Sequence, residues 1–208
     1  MSGVQFRHLM NNLGQLLPVP VHYLEIGVFA GSTLISLLSN NENVKTVVGV
    51  DLWDSANVLG GVDGLTSVKD KFLERLPHFT RSCQLIAIIE ADCWLTSPNT
   101  ILEKTGHQPI NLYLFDGPHD EDDHYFALVN YFPALADTFI FLVDDWNVPS
   151  VRIGTEAGLA MLADELIVVG KIEILTDINP GFAKSLWHNG LAAFVISKRL
   201  NNDVKQRF

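Results

Sequence analysis

The sequence predicts an α/β protein: a doubly wound, mostly parallel seven-stranded sheet with an antiparallel edge pair and helices on both faces. Three observations carry this expectation. Short, nearly continuous apolar runs alternate with longer stretches of helical periodicity, and strands that lack a polar face belong to parallel sheets covered on both sides. The final third breaks the rhythm, with two strand-like runs and no helical pattern between them. Acidic residues stand where successive strands end, at Glu25, Asp51, Asp92, Asp116 and Asp144, and open α/β sheets bind ligands beyond the carboxyl ends of their strands.

The elements follow in order. Residues 6–17 predict a helix over one end of the sheet, and Val21–Ile26 a first strand. A helix opens at 31–38 with Ser32 and Thr33 near its start. Residues 46–51, rich in β-branched side chains, form a second strand. Gly60, Gly61 and Gly64 mark a loop before a helix at 68–76. A third strand at 85–89 runs toward Asp92, a short helix fills 97–103, and a fourth strand at 111–115 ends at Asp116. A helix at 122–136 leads to a fifth strand at 138–143, which ends at Asp144-Asp145. A helix at 151–165, a strand at 166–175, a loop holding Pro180-Gly181 and a strand at 190–197 complete the chain. Right-handed crossovers make the parallel part Rossmann-like.

With 208 residues, 48% hydrophobic and 18% charged, one domain over 1–208 is expected: an N-terminal helical segment (1–20), a core (21–198) and a tail (199–208). Such a core folds without disulfides or a structural metal. The net charge of -10 argues against a nucleic-acid partner, which needs a basic face. No apolar run reaches about 18 residues and no signal region opens the chain, so no membrane partner is expected and the cytoplasm is the default location. Cys83 and Cys93 lack zinc or redox spacing and read as reduced core thiols.

The first glycine turn is Glu25-Ile26-Gly27-Val28-Phe29-Ala30-Gly31. Gly27 and Gly31 allow the backbone to approach a ligand and turn into a helix. Phe29 occupies the position of the middle glycine of a dinucleotide fingerprint, whose role is close approach to a pyrophosphate. S-adenosylmethionine has no phosphate, so a side chain is tolerated there. Asp51 lies about 20 residues beyond the turn, where a carboxylate accepts bonds from ribose hydroxyls. Leu52 and Trp53 follow it, and Asp92, Cys93 and Trp94 offer an adenine contact, with core packing as the competing role of both tryptophans.

The second constellation joins Asp116-Gly117-Pro118-His119 to Asp144-Asp145. Adjacent strand ends bring Asp116 near both later carboxylates, which repel unless protonated or neutralised by a cation. All-oxygen ligation favours Mg2+; the competing role is Asp144 capping the next helix with Asp145 in solvent. His119 is a candidate general base. Residues 120–123 read as an acidic first helical turn, and His22, His78, His107 and His188 show no partner pattern.

From Tyr23 to Ser197 the chain resembles class I S-adenosylmethionine-dependent methyltransferases. It looks most like small-molecule O-methyltransferases akin to macrocin O-methyltransferase and the cephalosporin hydroxylase group. The resemblance rests on an Asp-Gly-x-His motif after strand four, here Asp116 to His119, and an Asp-Asp pair after strand five, here Asp144-Asp145. It implies that Glu25, Gly27 and Gly31 belong to the cofactor loop and Asp51 to the ribose contact; with them, Phe29, Ser32, Thr33, Leu52, Trp53, Asp92, Cys93 and Asp116 make up the expected cofactor site. It further implies that Asp116, Asp144 and Asp145 hold Mg2+ and that His119 and Asp116 are catalytic. Where the family usually carries Pro-Gly-Gly before strand five, this chain has Ala136-Asp137-Thr138. The implied partner is a small hydroxylated acceptor, with a homodimer as the candidate assembly. The competing readings are an NAD-dependent oxidoreductase, a non-catalytic S-adenosylmethionine-binding protein and a metal-dependent hydrolase.

Overall fold

Five parallel strands, β1 (Val21–Ile26), β2 (Val44–Asp51), β3 (Leu85–Glu90), β4 (Ile110–Phe115) and β5 (Leu135–Asp144), form the body of the sheet. Antiparallel strands β6 (Leu166–Ile174) and β7 (Leu191–Lys198) complete it. The order is β3-β2-β1-β4-β5-β7-β6, so the chain reverses direction in the sheet at β1/β4, where such folds open their ligand crevice. The computed structural model describes residues 3–54, 65–176 and 186–199. The expected loops at 60–64 and 180–181, and the tail from 200 onward, lie outside them.

Side-chain alternation along the strands divides the core in two. Tyr23, Val47, Leu112, Leu114 and Leu142 pack with Phe6 and Met10 of α1 (Val4–Leu16), Leu34 and Leu38 of α2 (Ser32–Leu38) and Phe72 of α3 (Leu65–Arg75). Leu24, Ile26, Tyr113, Phe115, Phe141 and Val143 pack with Ile101 of α4 (Pro98–Lys104), Leu128 and Tyr131 of α5 (Glu121–Tyr131) and Val151 of α6 (Pro149–Met161). Phe141 stacks on Tyr113 at 5.0 Å and on Phe194 at 6.2 Å between ring centroids. Burial of each such side chain contributes about 1.5–3 kcal/mol. Both faces being dry explains why these strands show no polar alternation.

α5 and α6 lie close because glycine lines the contact. A Cβ added at Gly154 would sit 2.0 Å from the Glu121 carbonyl oxygen, and one at Gly158 2.8 Å from that of Tyr125. This fit ties the start of α6 to the loop after β4, where Ser150 Oγ donates to the His119 carbonyl at 2.7 Å.

Several boundaries move. The helix expected to reach residue 136 stops at Tyr131, because Pro133 turns the chain through a 3-10 turn, Phe132–Ala134. Ala136-Asp137-Thr138 then belong to β5, whose first residue, Leu135, pairs with Ile110. α6 ends at Met161, where Leu162 is buried and turns the chain into β6. β3 ends at Glu90, so Asp92 is no strand end: it caps the 3-10 turn Cys93–Leu95, its side chain accepting from the Trp94 amide at 2.8 Å. Cys83 is exposed rather than a core thiol, whereas Cys93 is half-buried; both are free.

Candidate active site

The glycine turn is closed by its own bond, the Gly31 amide donating to the Val28 carbonyl at 2.8 Å, and is shaped further by its neighbours. Gly27 has φ 89° and Gly31 φ 68°, the left-handed region that side chains disfavour. A Cβ at Gly27 would lie 1.8 Å from the Asp116 carbonyl oxygen, and one at Gly31 2.1 Å from the Phe72 ring. The turn therefore touches the end of β4 on one side and α3 on the other. Beside these glycines, Phe29 (φ 48°) and Trp53 (φ 44°) also take the left-handed region. Asp51 secures both: Oδ2 accepts from the Phe29 amide and Oδ1 from the Trp53 amide, each at 2.7 Å. Trp53 Nε1 closes the knot by donating to the Phe29 carbonyl at 2.9 Å, and its ring stacks on Phe72 at 6.1 Å. Left-handed non-glycine residues persist where surroundings over-determine them.

Glu25 lies beneath this turn, fully buried. Its carboxylate accepts from the Tyr23 hydroxyl at 2.7 Å and from the Thr33 hydroxyl. Burial pushes its pKa up to about 7 against the pull of those two bonds. Gly27, Phe29, Gly31, Asp51, Leu52 and Trp53 thus cluster at the ends of β1 and β2, with half-buried Ser32 opening α2. Glu25 and Thr33 are engaged with each other below them. Asp92 and Cys93 stand farther along the rim, past β3, where burial raises the Cys93 thiol to about 12. Trp94 donates to Asp123 Oδ1 at 3.0 Å and tilts against Phe115 at 6.1 Å.

The second half of the rim is acidic. The Asp116 amide donates to the Ile26 carbonyl at 2.8 Å, which places Asp116 beside the glycine turn. Ligand atoms of Asp116, His119 and Asp145 all lie within 4.8 Å of one another. His119 Nε2 is 2.7 Å from Asp145 Oδ2. Asp145 has φ 55°, so the chain swings its carboxylate away from the strand toward His119. Asp144 still belongs to β5, paired with Leu191; it lies outside that close set, yet its charge acts on Asp116 and feels Asp145 and His119. Asp144 does not cap α6, which begins after Val148, and neither aspartate faces solvent, at 3% and 6% exposure.

Electrostatics separate these carboxylates. Burial and then the charges of Asp144 and Asp145 push Asp116 well above the usual carboxylate range. Burial and the Asp145 charge raise Asp144 to about 7, and its Oδ1 is buried without a hydrogen-bond partner. Burial would raise Asp145 too, but the hydrogen bond and charge of His119, the Asn189 bond and the His188 charge hold it at about 2. The hydrogen bond to Asp145 raises His119 above its ordinary value, against a smaller opposing effect of burial.

Two residues of this rim were not expected from sequence. Asn189 Nδ2 donates to Asp145 Oδ1 at 2.6 Å and His188 Nδ1 lies 3.6 Å from the same oxygen. Asn147 anchors them: its amide donates to the Asn189 carbonyl at 2.7 Å, and its Nδ2 donates to Thr176. A signal existed. An antiparallel final strand starts at the rim where the parallel strands end, so residues just before β7 belong beside Asp145. Asp120 stands at the N-cap position of α5 without a side-chain capping bond, and Glu121, Asp122 and Asp123 form its acidic first turn, as expected.

The methyltransferase-domain profile matches residues 24–146, more than half of the chain, from the start of the glycine turn through the aspartate pair. No curated protein matches the sequence. Among solved structures, the O-methyltransferase TomG from Streptomyces achromogenes, involved in tomaymycin synthesis and in complex with SAM, is 16% identical with a TM-score of 0.62, covering 95% of this chain and 81% of its own. An O-methyltransferase from Bacillus cereus in complex with SAH is 14% identical, TM-score 0.57, covering 92% and 79%. CalS11, a TDP-rhamnose 3'-O-methyltransferase of calicheamicin biosynthesis, is 16% identical, TM-score 0.55, covering 92% and 76%. These share the fold, and the matched profile places the chain: it belongs to the methyltransferase-domain family.

Proposed function

We propose that this methyltransferase moves the methyl group of S-adenosylmethionine onto a hydroxyl oxygen of a small molecule. The observation that carries this reading is the contact between its two halves: Gly27 has no room for a Cβ because the Asp116 carbonyl occupies that space. A nucleoside cofactor at the glycine turn and an acceptor at the acidic rim are then neighbours. Phe29 in place of a phosphate-approach glycine disfavours a dinucleotide, and Asp51 keeps lone pairs for ribose hydroxyls beyond the two amides it holds.

The reaction needs alignment more than activation, since the sulfonium is already electrophilic. The acceptor oxygen forms a bond to the methyl carbon, the sulfur–methyl bond breaks with its electron pair staying on sulfur, and the hydroxyl proton departs. In neutral His119, Nε2–H donates to Asp145, which leaves Nδ1 as the nitrogen that takes this proton. Asp145, itself held by Asn189, keeps the imidazole in place. Its raised pKa makes it a stronger base that is neutral only at higher pH, so the rate rises with pH through that titration.

The rim residues fit a hard divalent cation such as Mg2+. The partnerless Asp144 Oδ1 and the mutually repelling Asp116 and Asp144 supply oxygens that lack positive charge. Asp116, Asp144 and Asp145 would hold it, and its charge would neutralise them and acidify an acceptor hydroxyl. Among the described residues no helix is long and apolar enough to cross a membrane. The free cysteines suit a reducing compartment, and we assign the reaction to the cytoplasm.

The test is S-adenosylhomocysteine formation from S-adenosylmethionine across a panel of vicinal diols, catechols and sugar nucleotides. Turnover with at least one hydroxylated acceptor is expected. Binding of NADH in place of S-adenosylmethionine, or cofactor binding with no turnover on any acceptor, would contradict the reading.

A further inference from the structure

The far edge of the sheet carries a surface that methyl transfer does not use. β6 pairs through one edge with β7, and among the described residues no strand pairs with its other edge. Ile167, Val168, Val169, Ile172 and Leu175, all in or next to this strand, are each 40–65% exposed. Exposed edges are ordinarily guarded by outward-pointing charges, prolines or bulges. Here the one lysine lies along the face of the sheet and does not project past its edge: Lys171 Nζ lies 5.2 Å from the Trp146 ring, 5.4 Å from Phe194, 3.1 Å from Glu173 Oε1 and 3.5 Å from Glu156 Oε1. Glu173 is likewise tied back, accepting from Trp146 Nε1 at 2.7 Å. A bulge at Val169, where the register shifts between Val168 and Gly170, guards only the start of the strand. Gly170 to Ile174 is regular and open.

We propose that this edge pairs antiparallel with the same edge of a second copy of the chain, about a two-fold axis through Ile172. Charge selects that register. An axis at Ile172 sets Lys171 opposite the partner's Glu173 and Glu173 opposite the partner's Lys171, with Ile172 against the partner's Ile172. Gly170 then meets the partner's Ile174, and the paired stretch from Gly170 to Ile174 uses the bulge-free part of β6. Moving the axis by one residue opposes Lys171 to the partner's Lys171, or Glu173 to the partner's Glu173, and like charges directly across a ladder are destabilising. The interface is self-complementary, as a two-fold contact requires, and it joins the two sheets into one through main-chain hydrogen bonds.

Sedimentation velocity over a concentration series tests this on the full chain. The wild type is expected to associate reversibly to a dimer. Ile172→Lys, at an exposed position that leaves the fold intact, is expected to weaken dimerisation roughly tenfold or more, the cost of charges facing each other in place of an apolar pair. Lys171→Glu and Glu173→Lys are each expected to weaken self-association, and an equimolar mixture of the two to recover a heterodimer, because opposite charges then face each other again. Thermal melts confirm that these two variants remain folded. A wild type that stays monomeric, as it would if its own chain covered this edge, overturns the proposal, as does a dimer indifferent to Ile172→Lys. A mixture that fails to recover association overturns the register.

Discussion

The two halves of the rim solve opposite problems. At the glycine turn every carboxylate is answered from within the chain: Glu25 by the Tyr23 and Thr33 hydroxyls, Asp51 by the amides of Phe29 and Trp53. At the acidic half, Asp145 is answered by His119 and Asn189, while Asp144 retains an unpartnered buried oxygen and Asp116 is forced toward protonation. The first half is a finished mould, and the second holds charge that an incoming proton, cation or substrate must answer. The contrast teaches where shape is built and where chemistry is left open, because a preorganised site keeps its unmet electrostatics for the reacting partner.

The largest effect expected from breaking this contrast is at Asp145. Asp145→Asn keeps the shape but removes the charge that orients His119, and the methyl-transfer rate should fall about 10²–10⁴-fold, read in steady-state assays at saturating cofactor. Next, Gly27→Ala forces a methyl into the Asp116 carbonyl at φ 89°. It should lose about 3 kcal/mol or more of stability, measured by urea unfolding.

A comparable effect on the mould side depends on pH. The Glu25 carboxyl has a folded-state pKa of about 7 against an ordinary 4.5, so its contribution is fully present below pH 4.5 and is lost as pH rises through 7. The full loss is about 3 kcal/mol. Unfolding of Glu25→Gln across this window should show a flatter pH dependence than wild type, and equal slopes would show that Glu25 is not the buried acid described. On the open side, saturating Mg2+ should stabilise the wild type by about 2.7 kcal/mol at a hundredfold excess over Kd. Asp144→Asn should be more stable without the ion and lose the response.

Much of this contrast was legible before the structure. Continuous apolar runs such as 111–115 announce buried parallel strands, because a strand covered on both faces has no reason to alternate. Strand-end carboxylates follow from that placement, and Asp51 and Asp116 stand where it put them. What the pattern could not carry was the chain's local reversals. Pro133 cuts a helical run short and hands Leu135 to β5, and β3 stops at Glu90 before reaching Asp92. The left-handed turn at Asp145 separates it from Asp144, although the two are adjacent and chemically identical. Asn189 is 44 residues from Asp145, and no spacing rule links them; only the antiparallel entry of β7 between β5 and β6 brings it there.

The division of labour is tested most directly by calorimetric titration of S-adenosylmethionine into the wild type, Asp51→Ala and Asp145→Asn. Asp51→Ala frees the Phe29 and Trp53 amides and removes the ribose acceptor, so affinity should fall roughly tenfold or more. Asp145→Asn should bind like the wild type although it turns over far more slowly. A wild type that does not bind S-adenosylmethionine, or an Asp145→Asn variant that loses affinity as severely as Asp51→Ala, would contradict the separation of mould from chemistry.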